Sequence, residues 1–276
     1  MSTENTNNSE IQHESTLFAE PILHVGSFTI TNSLIMSWIT VAILVTFFVL
    51  AGKRAKKSAK QAPKGIHNFF EIILEQALGL ADSVTGDRKK TQKFLPVVLS
   101  LFLFILVNNW LGLLPGVGTI GFVEHNVFVP FLRGATADLN TTLAISLFAV
   151  ILSHILGVVW VGTWNHFNKF VNIKAFVQIF KKGRKEPVLI MVNPIKAFVG
   201  IIEIVGEIAK VASLSLRLFG NIFAGEVLLA SMMAISAFFL PLPFMFLELI
   251  VGIVQALVFA ILTLAFMSIA TTHEEH

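Results

Sequence analysis

Long apolar runs separated by short polar or basic stretches dominate the hydrophobic pattern of the chain. Four of these runs, at residues 31–51, 94–114, 139–163 and 244–270, are almost free of charged side chains. A helix of roughly 20 apolar residues crosses a bilayer core about 30 Å thick. The pattern therefore predicts an all-α integral membrane protein in which these four runs are transmembrane helices.

A fifth apolar segment, residues 188–240, differs because it carries several ionisable side chains. No proline lies between Pro194 and Pro241, so one helix over residues 195–240 would extend about 69 Å, about twice the membrane core. Either the segment crosses twice, or it is one long, steeply tilted helix, with or without a short re-entrant turn near its start. Two crossings would leave the carboxyl terminus outside, and one would leave it inside.

Residues 67–84 alternate apolar side chains, such as Phe70 and Ile73, with Glu71 and Glu75. This spacing is typical of a short amphipathic helix at the membrane interface rather than a span. We therefore expect a polar tail at residues 1–30 followed by a single membrane domain at residues 31–276.

The positions of the basic residues predict the orientation of the chain. Sixteen of the 20 Lys and Arg residues lie in three clusters, at residues 53–64, 88–93 and 169–185, and residues 1–30 contain none. Cytoplasmic loops are enriched in Lys and Arg, so the amino terminus is expected outside. This placement explains the net charge of +3 without nucleic acid.

Composition narrows the class of protein further. Hydrophobic residues make up 55% of the chain and charged residues 13%, whereas soluble domains carry roughly 25% charged residues. The chain contains no cysteine, which excludes disulfides and cysteine-ligated zinc, and no other metal or cofactor site is expected. With no signal or transit peptide pattern, a bacterial inner membrane is favoured, although an organelle-encoded protein stays open.

Arg217 is the residue most suggestive of function. It lies among apolar neighbours, and no carboxylate occurs within seven residues on either side. A charge inside a membrane span costs roughly 2.5–3.5 kcal/mol on insertion scales, and arginine cannot be deprotonated in proteins. A permanent charge in this setting attracts a carboxylate and repels a free proton.

Helical geometry sorts the other polar residues near this arginine. Asn221 lies within about 40° of Arg217 around a helix, whereas Glu226 lies about 180° away. Glu248 and Gln255, seven residues apart in the last run, share one face. If the last two helices are antiparallel, we expect Glu226 and Glu248 to meet at one depth.

Glu203, Glu207 and Lys210 form a second polar group, spaced three and four residues apart. Glu203 and Lys210 lie within about 40° of the face of Arg217. Two readings stay open: the three residues pair with one another as a structural cluster, or they line an ion path.

The residues around Arg217 resemble a family signature. The sequence Ser-Leu-Arg-Leu-Phe-Gly-Asn at 215–221, followed by Ala-Gly-Glu at 224–226, resembles that of F-type ATP synthase subunit a. Asn109 with Gly112, Leu113 and Pro115, and the sequence Ala-Asp-Leu-Asn-Thr-Thr at 137–142, resemble the same family. The resemblance extends over roughly residues 20–276.

This resemblance implies about five transmembrane helices plus an interfacial helix, with the last two spans forming a long tilted hairpin. It also implies a single crossing by residues 195–240, and hence an inner carboxyl terminus. The chain would not be an enzyme by itself but the proton-conducting stator subunit of a rotary motor. Its partners would be the c-ring, the peripheral-stalk subunit b, the lipid bilayer and the transported protons.

The same resemblance assigns roles to individual residues. Arg217 looks like the essential arginine that faces the ring carboxylate. Asn221, Glu226 and Gln255 look like outer half-channel groups, and Glu203 looks like an inner one. Glu248 occupies a place where some relatives carry histidine, so the two carboxylates, if close, would raise the proton affinity of one of them. We add Glu207 to the inner route and Glu248 to the outer route as hypotheses.

Other classes of function fit the sequence less well. A secondary transporter would predict an inverted repeat, and no useful repeat is visible. His154, His166 and the serines form no nucleophile–base or metal-ligand spacing that would indicate a hydrolase. A purely structural scaffold would leave Arg217 without a purpose.

Overall fold

Helices make up most of the chain. The computed structural model describes residues 16–58, 66–124, 127–164, 187–236 and 239–272. The basic cluster at residues 169–185, part of the cluster at 53–64 and both chain ends lie outside these ranges. The long helices are α1 (Asn32–Ser58), α2 (Ile66–Thr85), α3 (Arg88–Gly112), α4 (Leu139–Val161), α5 (Pro187–Ile235) and α6 (Pro241–Ala270).

Within the described ranges, five helices are long and apolar enough to cross a membrane: α1, α3, α4, α5 and α6. Many of their large apolar side chains are exposed, among them Phe148 and Leu247. Exposed apolar surface of this extent is compatible with lipid rather than with water. The prediction of an all-α membrane fold is confirmed, and the amphipathic helix α2 is not among the five spans.

The segment with alternative interpretations is one continuous helix. Helix α5 runs from Pro187 to Ile235, 49 residues without an intervening turn, and passes through Pro194, which we expected to precede it. At 1.5 Å per residue the helix is about 74 Å long. The helix is therefore longer than a perpendicular crossing of the membrane requires. Because it contains no turn, residues 187–235 do not cross the membrane twice.

Helix α3 begins within the second basic cluster, at Arg88, rather than after it. The Nζ of Lys90 donates to the carbonyl of Thr271, 3.3 Å away, at the end of α6. Lys93 lies over the ring of Trp160 near the end of α4, with 4.7 Å from Nζ to the ring centroid. Cations are favourable near helix carboxyl ends, so these lysines link the start of α3 to the ends of α4 and α6.

Two short β-hairpins occur in segments that we treated as tail and loop. Strand β1 (Pro21–Val25) pairs with β2 (Phe28–Thr31), and β4 (Gly121–Glu124) pairs with β5 (Val127–Pro130), both antiparallel; the short strand β3 covers Pro115–Gly118. The first hairpin turns at Gly26, whose φ of 64° favours glycine. Its two-residue Gly-Ser turn is the signal that predicts a hairpin.

The chain divides into two compact units. The first unit comprises Met1–His67, Ser100–Thr142 and Leu216–Leu257. The second unit comprises Asn68–Leu99, Leu143–Ser215 and Val258–His276.

The side chain of Asp138 connects several segments of the first unit. Its carboxylate accepts hydrogen bonds from the backbone N–H of Ala19 (3.2 Å) and Asn140 (3.1 Å) and from the hydroxyls of Ser33 (3.0 Å) and Thr141 (2.9 Å). It thus caps the start of α4 and attaches both α1 and the segment before β1 to that helix.

Two adjacent asparagines connect helices within the same unit. The amide of Asn109 donates to the carbonyl of Gly252 (3.1 Å) in α6 and accepts from the hydroxyl of Thr136 (2.7 Å). Asn108 accepts from the hydroxyl of Thr40 (3.0 Å) in α1. The buried amides therefore satisfy polar groups that would be costly to leave unpaired in an apolar interior.

Candidate functional site

Arg217 lies on the exposed face of α5 in the first unit. Leu216 beside it is 58% exposed, whereas Leu218 and Phe219 are buried. Asn221, one turn further along, is also exposed. The helix therefore packs one face against its own unit and presents Arg217 and Asn221 on its exposed face, next to the apolar side chain of Leu216.

Glu226 forms an ion pair with a residue that the sequence analysis did not assign to the site. The Nη2 of Arg133 lies 3.0 Å from Oε2 of Glu226, and the Nε of Arg133 lies 3.1 Å from Oε1. The guanidinium thus donates hydrogen bonds to both carboxylate oxygens. Such charge-assisted hydrogen bonds are roughly twice as strong as hydrogen bonds between neutral groups. Arg133 is 4% exposed and Glu226 38%.

The amino-terminal segment completes the surroundings of Arg133. Its Nη1 donates to the hydroxyl of Thr16 (3.1 Å) and the carbonyl of Phe18 (3.3 Å), and its Nη2 donates to the carbonyl of Thr16 (2.8 Å). The guanidinium carbon also lies 6.0 Å from the ring centroid of Phe223. With the bonds to Glu226, acceptors are available for all five N–H groups of the guanidinium.

Glu248 lies against the backbone of Gly225. Its side chain is buried, at 6% exposure, and a Cβ built on Gly225 would overlap its carboxyl group. Among the described residues, no hydrogen-bond partner is found for its Oε1. A buried carboxyl oxygen without a partner is unfavourable, unless water or a proton donor reaches it.

Two polar residues assigned to the outer route lie apart from these contacts. Gln255 is half-buried, two helical turns after Glu248, and Asn221 is exposed beside Arg217. The first unit thus contains Arg217, Asn221, Glu226, Glu248 and Gln255, but its close contacts join Glu226 to Arg133 and Glu248 to Gly225.

The contact at Gly225 gives a first testable expectation. Gly225→Ala forces the buried carboxyl of Glu248 to move, and overpacking of this kind costs about 1–3 kcal/mol. We expect a matching fall in the free energy of unfolding in detergent micelles. Gly206→Ala, also in α5, is the matched control because a Cβ there meets nothing within 4 Å. Equal stability of the two variants would contradict the close contact.

The second unit holds a separate cluster around Glu207. Lys210 Nζ lies 2.7 Å from Oε1 of Glu207, and His154 Nε2 lies 3.3 Å from Oε2. Lys210 also lies over the ring of Phe266, 5.1 Å from its centroid. Glu203 is half-buried one turn earlier in α5. The pairing of Glu207 with Lys210 is a contact that the first interpretation of the sequence, a structural cluster, predicts. His154 is a further partner of Glu207 that the sequence did not indicate.

Glu20 is a further titratable group that the sequence analysis left in the polar tail. Its Oε2 accepts from the amide of Asn32 (3.2 Å), and its Oε1 lies 3.5 Å from the hydroxyl of Thr16. Burial raises the pKa of Glu20, the nearby charge of Arg133 lowers it, and that of Glu226 raises it, with a net upward shift. Glu20, Arg133 and Glu226 therefore interact electrostatically.

Comparison with known proteins bears on the same region. The family model described as ATP synthase A chain matches residues 34–268, which include every site residue named above except Thr16, Phe18, Glu20 and Asn32.

Curated relatives match most of the chain. ATP synthase subunit a of Syntrophobacter fumaroxidans is 32% identical over 249 residues, covering 90% of this chain and 87% of the relative. ATP synthase subunit a of Mycobacterium ulcerans is 34% identical over 238 residues, covering 85% of each. ATP synthase subunit a 2 of Chlorobaculum tepidum is 32% identical and covers 92% of this chain. The chain therefore belongs to the ATP synthase A chain family.

Proposed function

We propose that this chain is the proton-conducting stator subunit in the membrane sector of F-type ATP synthase. Two offset half-channels deliver protons to, and remove them from, a carboxylate of the c-ring, and so couple proton flow to ring rotation and ATP synthesis. As a member of the ATP synthase A chain family, the chain is a subunit of that complex and not an enzyme by itself.

The observation that carries the proposal is the outward position of Arg217. The guanidinium stands on an exposed face of a membrane helix, next to the exposed side chain of Leu216, and arginine is not deprotonated in proteins. It is thus suited to meet an acidic side chain of a moving partner. When the arriving carboxyl group loses its proton, Arg217 stabilises the carboxylate, and its fixed charge blocks a direct proton leak.

The outer route uses the polar residues of the first unit. Protons from outside pass Glu226, Glu248, Asn221 and Gln255 and neutralise the ring carboxylate, which then rotates into lipid. The buried carboxyl of Glu248, with an oxygen that no described group satisfies, supports a place for it on a hydrated path. Each proton moved is worth about 2.3 kcal/mol per 100 mV of membrane potential.

The inner route uses the second unit. Glu203 and Glu207 receive the proton released from the ring, and the contacts of Glu207 with His154 and Lys210 support a polar environment there. Whether the ion is H⁺ or Na⁺ depends on the surroundings of the ring carboxylate.

The orientation and the partners complete the proposal. The chain crosses a bacterial inner membrane several times, with its amino terminus outside and its carboxyl terminus inside. The contact between Lys90 and Thr271 supports this, because it joins the end of α6 to a basic cluster expected inside. Its protein partners are the c-ring and the peripheral-stalk subunit b.

Native mass spectrometry of the gently solubilised complex tests the assignment. We expect this chain to copurify with a ring of small membrane subunits. The purified chain alone should catalyse no saturable uptake of a solute. Isolation of the chain as a free monomer that transports a solute would instead favour a secondary transporter.

A further inference from the structure

The amino-terminal segment before α1 carries a carboxyl group into the surroundings of Arg133. Thr16 and Phe18 accept hydrogen bonds from the guanidinium, and the N–H of Ala19 donates to Asp138. Glu20 follows directly, and its backbone is fixed to Asn32 at the start of α1. This segment is therefore part of the packed first unit rather than a detached tail.

The charged groups Glu20, Arg133 and Glu226 differ in their hydrogen-bond partners. Both oxygens of Glu226 receive hydrogen bonds from Arg133, and the remaining N–H groups of Arg133 are directed to Thr16 and Phe18. Glu20 has neutral partners, Asn32 and the hydroxyl of Thr16. That hydroxyl already donates to the carbonyl of Phe18 at 2.7 Å, so it offers Glu20 no strong donor.

A half-buried carboxyl with weak neutral partners is the group in such a cluster that gains and loses a proton most readily. Glu226, which lies beside it, accepts hydrogen bonds from Arg133 on both carboxylate oxygens. The groups that face Glu20 are Asn32 from α1, Arg133 from the loop before α4, and Glu226 from α5, with Thr16 from its own segment. The upward shift of the Glu20 pKa has the direction that this arrangement requires.

We propose that Glu20 is the outermost proton-exchanging residue of the outer route. Its carboxylate takes a proton from hydronium in the outer water, which leaves as water, and the resulting carboxylic acid passes that proton inward through water, restoring the carboxylate. Glu226 and Glu248 lie further along the same route. This inference rests on the proposed function and assigns a role to a residue outside the region that matches the family model.

The test is proton flux through the membrane sector in sealed vesicles, driven by a potassium diffusion potential, with the pH of the outer side set independently. A group that captures protons matters most where protons are scarce. We expect Glu20→Gln to lower flux about tenfold at an outer pH of about 8 and little at about 6. Glu20→Asp, which keeps a carboxyl group, should retain the wild-type pH profile.

Two control variants separate the possible results. His24→Gln changes an exposed titratable side chain of the adjacent strand and should behave as wild type. Wild-type flux of Glu20→Gln at alkaline outer pH, while Arg217→Ala abolishes proton pumping coupled to ATP hydrolysis, would overturn the inference and leave the proposed function standing. Equal losses by Glu20→Gln and Glu20→Asp at every pH would also overturn it, because they would indicate a structural role. Coupled flux through Arg217→Ala would reject the proposed function itself.

Discussion

Replacing Arg217 with alanine is expected to abolish proton transport coupled to ATP synthesis, while the chain still inserts and assembles. The substitution removes the positive charge that stabilises the arriving carboxylate. Without that charge, release of the proton from the ring carboxyl group becomes unfavourable. The side chain is exposed, so its loss opens no cavity within the chain and should leave the fold intact. Proton pumping by vesicles and the subunit composition of the purified complex measure both effects.

Arg217→Lys is the matched variant. Lysine keeps a positive charge, but its ammonium is a compact donor that loses its proton more readily than guanidinium when desolvated. We expect assembly at the wild-type level, strongly reduced coupled transport, and a residual proton leak that the wild type lacks. Normal pumping by Arg217→Ala would contradict the proposed role of the arginine.

Replacing Arg133 with methionine is expected to cause the second largest effect, on stability. The change leaves Glu226 without its bidentate partner and removes the donors to Thr16 and Phe18. Loss of one partner of a fully buried ion pair costs about 3–5 kcal/mol, and solvent screens part of this cost here because Glu226 is 38% exposed. We expect a smaller decrease, about 1–3 kcal/mol, in the free energy of unfolding in detergent micelles, together with release of the amino-terminal segment to proteolysis.

The exposed ion pair of Arg88 with Asp82 provides a control for Arg133→Met. Its side chains are 53% and 31% exposed, and exposed pairs contribute only about 0–1 kcal/mol. Arg88→Met should therefore change the free energy of unfolding little. Equal effects of Arg88→Met and Arg133→Met would show that the Arg133 pair is not the buried anchor described above.

Much of the fold follows from hydrophobic length alone. Helices such as α4 and α6 were predictable because an apolar run of sufficient length has few alternatives in a bilayer, where backbone groups must be satisfied internally. The continuity of α5 was not decided by composition, since ionisable residues such as Glu207 permit both one and two crossings. Helix α3 begins earlier than predicted because long basic side chains, such as Lys90, extend from a helix end to polar partners.

The candidate site was only partly predictable. Arg217 was identified because a permanent charge in an apolar run needs a physical reason. The same reasoning applied to Arg133, the only Lys or Arg of residues 116–138, would have indicated a buried partner. Its pairing with Glu226 depends on tertiary contacts 93 residues apart in sequence, which local spacing does not encode. The hairpin of β1 and β2 carried a turn signal, but the role that we propose for Glu20 depends on contacts with α1 and Arg133.

A high-resolution structure of the intact membrane sector that contains this chain and its ring tests the central claim most directly. The account predicts the guanidinium of Arg217 beside an acidic side chain of a ring subunit, within about 4 Å in at least one rotational position. An Arg217 bound in every rotational position to a fixed carboxylate of its own chain, remote from the ring, would contradict it.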